Sequence, residues 1–308
     1  MRFADKAIER TLALIALSSI VVLVSITFFI FKEGAPFVYR VGLANFFSTE
    51  WHPTAGSYGI SYMIVGTAAV TAGALVFGVP LGIACAVALG EMAGESTRSL
   101  LKPAIEILAG IPSVVFGFIG ISLVLPWIRE HLGGPGASGL AGALILGVMI
   151  LPTIIAISLD ALRAVPRSYR EASLALGATE WQTIWRVVLP AARSGILAAV
   201  ILGVGRAVGE TMAVVMVTGN AVQLPHSPLD PLRTLTANLA LEMAYAAGDH
   251  RAALFATGVV LFIVIVGLNT LAALIRSRLA RPAGRSQQLR ASASRAQSTE
   301  QVQPAVTP

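Results

Sequence analysis

Six long apolar runs constrain this chain more than any other feature. They cover approximately residues 11–31, 60–89, 104–128, 139–160, 195–219 and 252–275. Crossing a hydrocarbon core about 30 Å thick takes roughly 20 apolar residues in a helix, and each run reaches that length. Lipid offers no partner to a backbone N–H or C=O, so a run of this kind must satisfy its own polar groups as a helix. The second run exceeds one straight crossing, and Pro80 with several glycines predicts a tilt, a kink or an interfacial part. Only 12% of the residues are charged, against about 25% in a soluble domain. The expected fold class is all-α: an integral membrane protein with six transmembrane helices.

The first run follows MRFADKAIER, which superficially resembles the start of a signal peptide. Its apolar stretch is longer than such a segment needs and no small-residue cleavage site follows it, so it reads as a retained anchor. The net charge of +6 reflects topology. With an inside N-terminus, sixteen of the 22 Lys and Arg residues fall on the cytoplasmic side, five fall outside, and Arg206 alone is buried. That bias places both termini in the cytoplasm and gives no reason to invoke a nucleic acid. The resulting division is an N-terminal piece 1–10, a six-helix domain 11–278 and a tail 279–308 rich in Ser, Gln, Arg and Pro that is expected to be disordered. A single cysteine, Cys85, excludes an intrachain disulfide, and the four histidines are too scattered to nominate a metal site. No cofactor is expected. Small residues fill GTAAVTAGALVFG (66–78) and GLAGALILG (139–147), which predicts close helix approach.

The fifth run contains GVGRAVGETMAV (203–214), with Arg206 and Glu210 in the middle of a segment otherwise apolar. A charge at bilayer depth costs about 2.5–3.5 kcal/mol even on the lenient insertion scale. Four residues apart on a continuous helix, the two share a face. One reading is an internal ion pair that serves packing alone. The other is a polar translocation path: a guanidinium stays charged when desolvated and presents a planar fork suited to phosphate-like oxyanions. On that reading Glu210 compensates Arg206 between transport events. It also accepts a hydrogen bond from a protonated phosphate oxygen, which sulfate lacks.

Between the fourth and fifth runs lies DALRAVPRSYREASLALGATEWQTIWRVVLPAARSG (160–195). Pro166 and Ser168 predict a break and N-cap, a short helix follows to Leu176, and Gly177 interrupts it. Thr179 then caps a second short helix through Arg186, which Pro190 is expected to stop. Leu174, Trp181, Ile184, Trp185 and Val188 need burial in the bilayer interface, under the loop or against a partner.

The run Glu171-Ala172-Ser173, three residues, Gly177, nine residues, then Val187-Val188-Leu189-Pro190 resembles the EAA loop of bacterial ABC importer permeases. Ser173 and Val187 are conservative departures from that pattern. GRAVGETMAV (205–214), AGIPSVVFGF (109–118), TLTANLALEM (234–243) and HRAALFATG (250–258) are further similar to the phosphate importer permeases of the PstC type, over roughly residues 10–276. The resemblance implies a type I ABC importer permease fold in the bacterial cytoplasmic (inner) membrane. It also implies a coupling loop at 166–190, with Glu171, Ala172, Ser173, Gly177, Leu189 and Pro190, that docks on an ATPase. The implied partners are a sister permease of the PstA type, two ATP-binding subunits of the PstB type and an extracytoplasmic phosphate-binding protein of the PstS type, besides membrane lipid.

The chain's own lysines (Lys6, Lys32, Lys102) have no preceding glycine, so no nucleotide-binding P-loop of its own is expected and ATP hydrolysis falls to a partner. Ile111-Pro112-Ser113 near the start of the third run frees a backbone carbonyl, either as a simple kink or as part of a gate. The segment 220–250, with Pro225, Pro228 and Pro231 before an apolar-rich stretch 232–247, reads as a short re-entrant or interfacial helix. By the family likeness it belongs to the outer gate or to the surface that meets the binding protein. Three alternatives remain open at this point: a PstA-type or other oxyanion permease, a proton-coupled secondary transporter, and a non-transporting scaffold.

Overall fold

A computed structural model describes the backbone of residues 2–279 and the side chains of residues 8–275. The expected disordered tail 279–308 lies, but for its first residue, outside the described residues. Six helical segments are long and apolar enough to cross a membrane: Ile8–Val41, Ser61–Met92, Ser113–His131, Gly139–Arg163, Glu180–Gly209 and Gly248–Ile275.

In chain order the helices are α1 (Arg2–Val41), α2 (Leu43–Phe46), α3 (Ser61–Val87), α4 (Glu95–Gly110), α5 (Ser113–Ile119), α6 (Leu125–His131) and α7 (Gly139–Arg163). They continue with α8 (Arg167–Ala175), α9 (Glu180–Thr183), α10 (Leu189–Gly209), α11 (Met212–Val217), α12 (Leu235–Glu242) and α13 (Gly248–Leu279). Single π-helical turns extend α3 over Ala88–Met92, join α5 to α6 over Gly120–Val124 and join α9 to α10 over Ile184–Val188. Outside the helices, β1 (Trp51–His52) and β2 (Ser57–Tyr58) form a small antiparallel hairpin.

The centre of the bundle is α7, with α3 and α10 laid against it. Glycine makes this possible. A Cβ on Gly73 would sit 2.6 Å from that of Ala143, and one on Gly78 would sit 2.8 Å from Ile150. Small side chains thus let the α3 and α7 backbones approach, as the glycine- and alanine-rich runs predict. A second cluster, including Val87, Leu159, Leu162 and Val188, closes the end that carries α8 and α9. A third, including Phe37, Phe46, Trp51 and Leu254, joins α1, the hairpin and α13 at the opposite end.

Four expected boundaries are corrected. The first helix continues to Val41, ten residues beyond the apolar run that ends at 31. The third run divides: residues 104–110 belong to α4, an amphipathic helix whose apolar side packs on the bundle through Ile105 and Leu108. Ile111 and Pro112 are then extended, at ψ 129° and 139°, and the span begins only at Ser113. A residue before proline is pushed out of the α region, which ends α4 there. The fifth run also divides, after Gly209. Pro190 does not stop the preceding helix. It sits in the first turn of α10, where its missing N–H costs nothing.

Candidate functional site

The fifth span ends its regular hydrogen bonding where Glu210 turns extended, at φ −69° and ψ 134°, and α11 restarts at Met212. This overturns the shared helix face expected for Arg206 and Glu210. Arg206 occupies the last turn of α10, where a cation complements the negative end of the helix dipole. Glu210 lies beyond the helix, and its Oε1 accepts the Ala213 N–H at 3.2 Å, so its carboxylate serves the start of α11. Among the described residues neither side chain has an ion-pair partner, and the packing-only pair is excluded.

Arg206 instead bridges two other elements. Its Nη1 donates to Thr153 Oγ1 of α7 at 3.2 Å, and its Nη2 to the Ala109 carbonyl at 3.5 Å. Ala109 belongs to the last turn of α4, where carbonyls lack intrahelical partners. The break at Ile111-Pro112-Ser113 and the break at Glu210 therefore flank one half-buried guanidinium, and two separate sequence candidates meet. A methyl group added at Gly110, Gly205 or Gly209 would meet nothing within 4 Å. Irregular backbone at membrane depth is tolerated where it is covered by protein or lines a cavity, and here two such stretches meet at a cation without an ion-pair partner among the described residues.

The patterned loop departs from its expected course in two places: α8 begins at Arg167 with Pro166 in the cap position, not Ser168, and the helix begun by α9 runs on into α10 rather than ending near Arg186. Gly177 adopts φ +83°, a conformation that strains any residue bearing a Cβ. Thr179 and Gln182 form a capping box that starts α9. Ser173, which departs from the family pattern, lies 2.9 Å hydroxyl to hydroxyl from Thr183 and pins α8 to α9. Glu171, Ala172 and Pro190 are exposed, and Leu189 is half-buried. Leu176, 90% exposed, and Trp181 leave a large apolar area uncovered by the chain itself.

One anchor of this loop escaped sequence reading. Arg170 makes a two-pronged bond to Glu91, at 3.0 and 2.6 Å, and also donates to the Val165 and Leu162 carbonyls at 2.8 and 3.0 Å. The hydrogen bond to Glu91 is the main reason that its pKa rises above the ordinary arginine value. A raised folded pKa keeps the Arg170 side of the tie charged at every pH below the arginine range. Seventy-nine positions separate the partners, and no local pattern announces the pair.

A second unanticipated cluster lies at the other end of the bundle. Glu242 accepts from Arg233 Nη1 at 2.6 Å and Trp51 Nε1 at 2.9 Å, and meets His250 Nε2 at 2.8 Å. Nearby, burial and the charge of Asp249 raise the Tyr58 pKa above its ordinary value.

Residues 78–281 match the profile of the binding-protein-dependent transport system inner membrane component. The chain belongs to that family. As a member it is a multi-pass inner-membrane subunit of an ABC transporter. It is 45% identical over 236 residues to the probable ABC transporter permease protein YqgH of Bacillus subtilis, covering 75% of this chain and 76% of that one. It is 35% identical to the phosphate transport system permease protein PstC of Xylella fastidiosa, covering 86% and 88%. With PstC of Haemophilus influenzae the identity is 32%, covering 91% and 96%. Among solved structures, a bacterial alginate ABC transporter bound to its periplasmic protein aligns at a TM-score of 0.58 and 16% identity, covering 87% of this permease and 96% of that chain. The MetNI methionine ABC transporter, in an inward-facing conformation, aligns at 0.56 and 20% identity, covering 75% and 100%. At these identities the likeness concerns the fold alone.

Proposed function

We propose that this permease is the PstC-type subunit of an ATP-driven importer of inorganic phosphate. The observation that carries the proposal is Arg206: a cation without a counter-ion among the described residues, held between two helix breaks. The relatedness to PstC proteins over most of both chains supports phosphate as the anion. A guanidinium fixed by Thr153 and Ala109 still has N–H donors to offer a tetrahedral oxyanion, and its placement needs no reorganisation when the anion arrives. Too tight a site would trap its cargo. The breaks at 111–112 and 210–211 provide the moving parts that let the anion leave on the opposite side.

Import then runs by alternating access. Two PstB-type subunits bind and hydrolyse ATP, a task for which this chain carries no motif of its own. Their closure moves the 166–190 loop, in which Glu171, Ala172, Ser173 and Gly177 form the docking knob and Leu189-Pro190 begin the helix whose last turn carries Arg206. A PstA-type sister permease supplies the facing wall, and a PstS-type protein delivers phosphate from outside. Both termini lie in the cytoplasm on this reading.

The test is labelled phosphate uptake by vesicles containing the assembled complex. Arg206→Ala is expected to lower uptake at least a hundredfold while the complex is still recovered intact. Full-rate uptake by that variant removes the reading.

A further inference from the structure

One short helix, α12, joins the outer polar cluster to the interruption of the fifth span, and hydrogen bonds hold it at both ends. At its start Thr234 Oγ1 accepts the Ala237 N–H at 3.2 Å. The Thr234 and Thr236 hydroxyl oxygens lie 3.1 Å apart, and Thr236 Oγ1 is 2.8 Å from the Glu210 carbonyl oxygen. A carbonyl only accepts, so the Thr236 hydrogen points at Glu210 and Thr234 supplies the hydrogen between the two threonines. The bonds form a directed chain from the Ala237 amide to the Glu210 carbonyl, with both threonines 5% exposed or less. Glu210's own N–H reaches the Ala207 carbonyl only at 3.4 Å, so the shorter backbone tie at the break is the one from Thr236.

At the far end Glu242 is held by donors from three places: Arg233 on the approach to α12, Trp51 in the hairpin and His250 in α13. From Thr236 to Glu242 is about 9 Å along the axis, a length over which a helix acts as a rod. Its first amide also donates to Thr67 of α3, through the Leu235 N–H at 3.0 Å. Beside Arg233, Asn238 Nδ2 and Asn220 Oδ1 are buried without a partner. Buried polar groups are normally paired, and these two have no hydrogen-bond partner among the described residues.

From this geometry we infer that α12 transmits the state of the outer face to the substrate path, with Thr236 as the positioning residue for Glu210 and, through it, for Arg206. The inference rests on the proposed path at Arg206, yet it is read by a measurement that needs no phosphate. Hydrogen exchange is followed by mass spectrometry on the assembled complex in lipid nanodiscs, with labelled phosphate uptake measured in parallel. Thr236→Val keeps the side-chain shape and removes the donor. It is expected to speed amide exchange at residues 210–213 at least tenfold, leave the α3 and α7 core unchanged and lower uptake about tenfold. Thr236→Ser restores both. Trp51→Phe removes one donor from Glu242 and is expected to raise exchange at the same residues, across the length of α12.

Unchanged exchange at 210–213 in Thr236→Val, or no rescue by serine, overturns the inference. So does an effect of Trp51→Phe confined to the hairpin, which also decides the matter if Thr236→Val loosens the whole bundle. The expected exchange pattern in a complex that imports no phosphate leaves the inference standing and removes the proposed function instead.

Discussion

Arg206 gains its meaning from what surrounds it. An arginine near the end of a helix finds favourable electrostatics in the terminal carbonyls, and here Ala109 of a second helix end adds another acceptor. Stability and transport separate cleanly at its neighbour Gly205. A Cβ there meets nothing within 4 Å, and replacing glycine inside a helix gains roughly 0.5–1 kcal/mol of helix propensity. Gly205→Leu is therefore expected to leave the melting temperature of the complex equal or higher while lowering uptake, if the open side of α10 at Gly205 borders the anion's route. Retained uptake would show that the anion passes elsewhere. Glu210 calls for a different exchange. Its Oε1 caps the Ala213 amide, a role that Gln retains, whereas the second oxygen becomes an amino group that cannot accept a proton from phosphate. Glu210→Gln is expected to assemble normally and to lose about tenfold in phosphate uptake, the equivalent of one hydrogen bond. Equal uptake, and equal rejection of sulfate, would remove that role.

At the scale of elements, the 166–190 loop depends on a single left-handed residue. Gly177 at φ +83° lets α8 reverse into α9, and a Cβ there costs about 1–2 kcal/mol. Gly177→Ala is expected to lower uptake several-fold while ATP hydrolysis by the complex persists, since the strain distorts the docking knob and not the nucleotide site. Parallel uptake and hydrolysis assays on one preparation check this, and tightly coupled losses would contradict it. The elements also mark what a sequence can disclose. All six spans are legible from apolar length, and the glycine turn and Thr179 cap from residue types whose effects are local. The break at Glu210 is not, because Glu and Thr carry no proline signal and the acceptor of the chain from Thr234 lies 26 positions from Thr236. The clusters of Arg170 with Glu91 and of Trp51 with Glu242 are invisible for the same reason: they join residues 79 and 191 apart. The split of α4 from the third span was half legible. Ile111-Pro112 announces a break, but hydropathy does not reveal that the helix before it lies against the bundle by one face.

The whole molecule presents an energy problem that its own chain does not solve. Moving an anion from a dilute exterior past a fixed cation requires work, and the cation alone only shifts where the anion rests. Glu210 is not arranged with Arg206 as an ion pair among the described residues, since its Oε1 accepts the Ala213 N–H. What the chain does offer is an uncovered apolar surface at Leu176 and Trp181, mounted on a loop that leads into α10, whose last turn carries Arg206. Exposed aromatic and aliphatic area of that kind is costly in water and gains from a partner. A force applied at α8 and α9 has a rigid route to the path, since the π-helical turn Ile184–Val188 keeps the helix continuous across Pro190. Uptake in vesicles is therefore expected to require both ATP and the nucleotide-binding subunits, and to fall to background when either is omitted, whatever proton gradient is imposed. If an imposed gradient drives uptake in a complex lacking those subunits, the work enters through the membrane helices. The loop would then be a tether and not a lever.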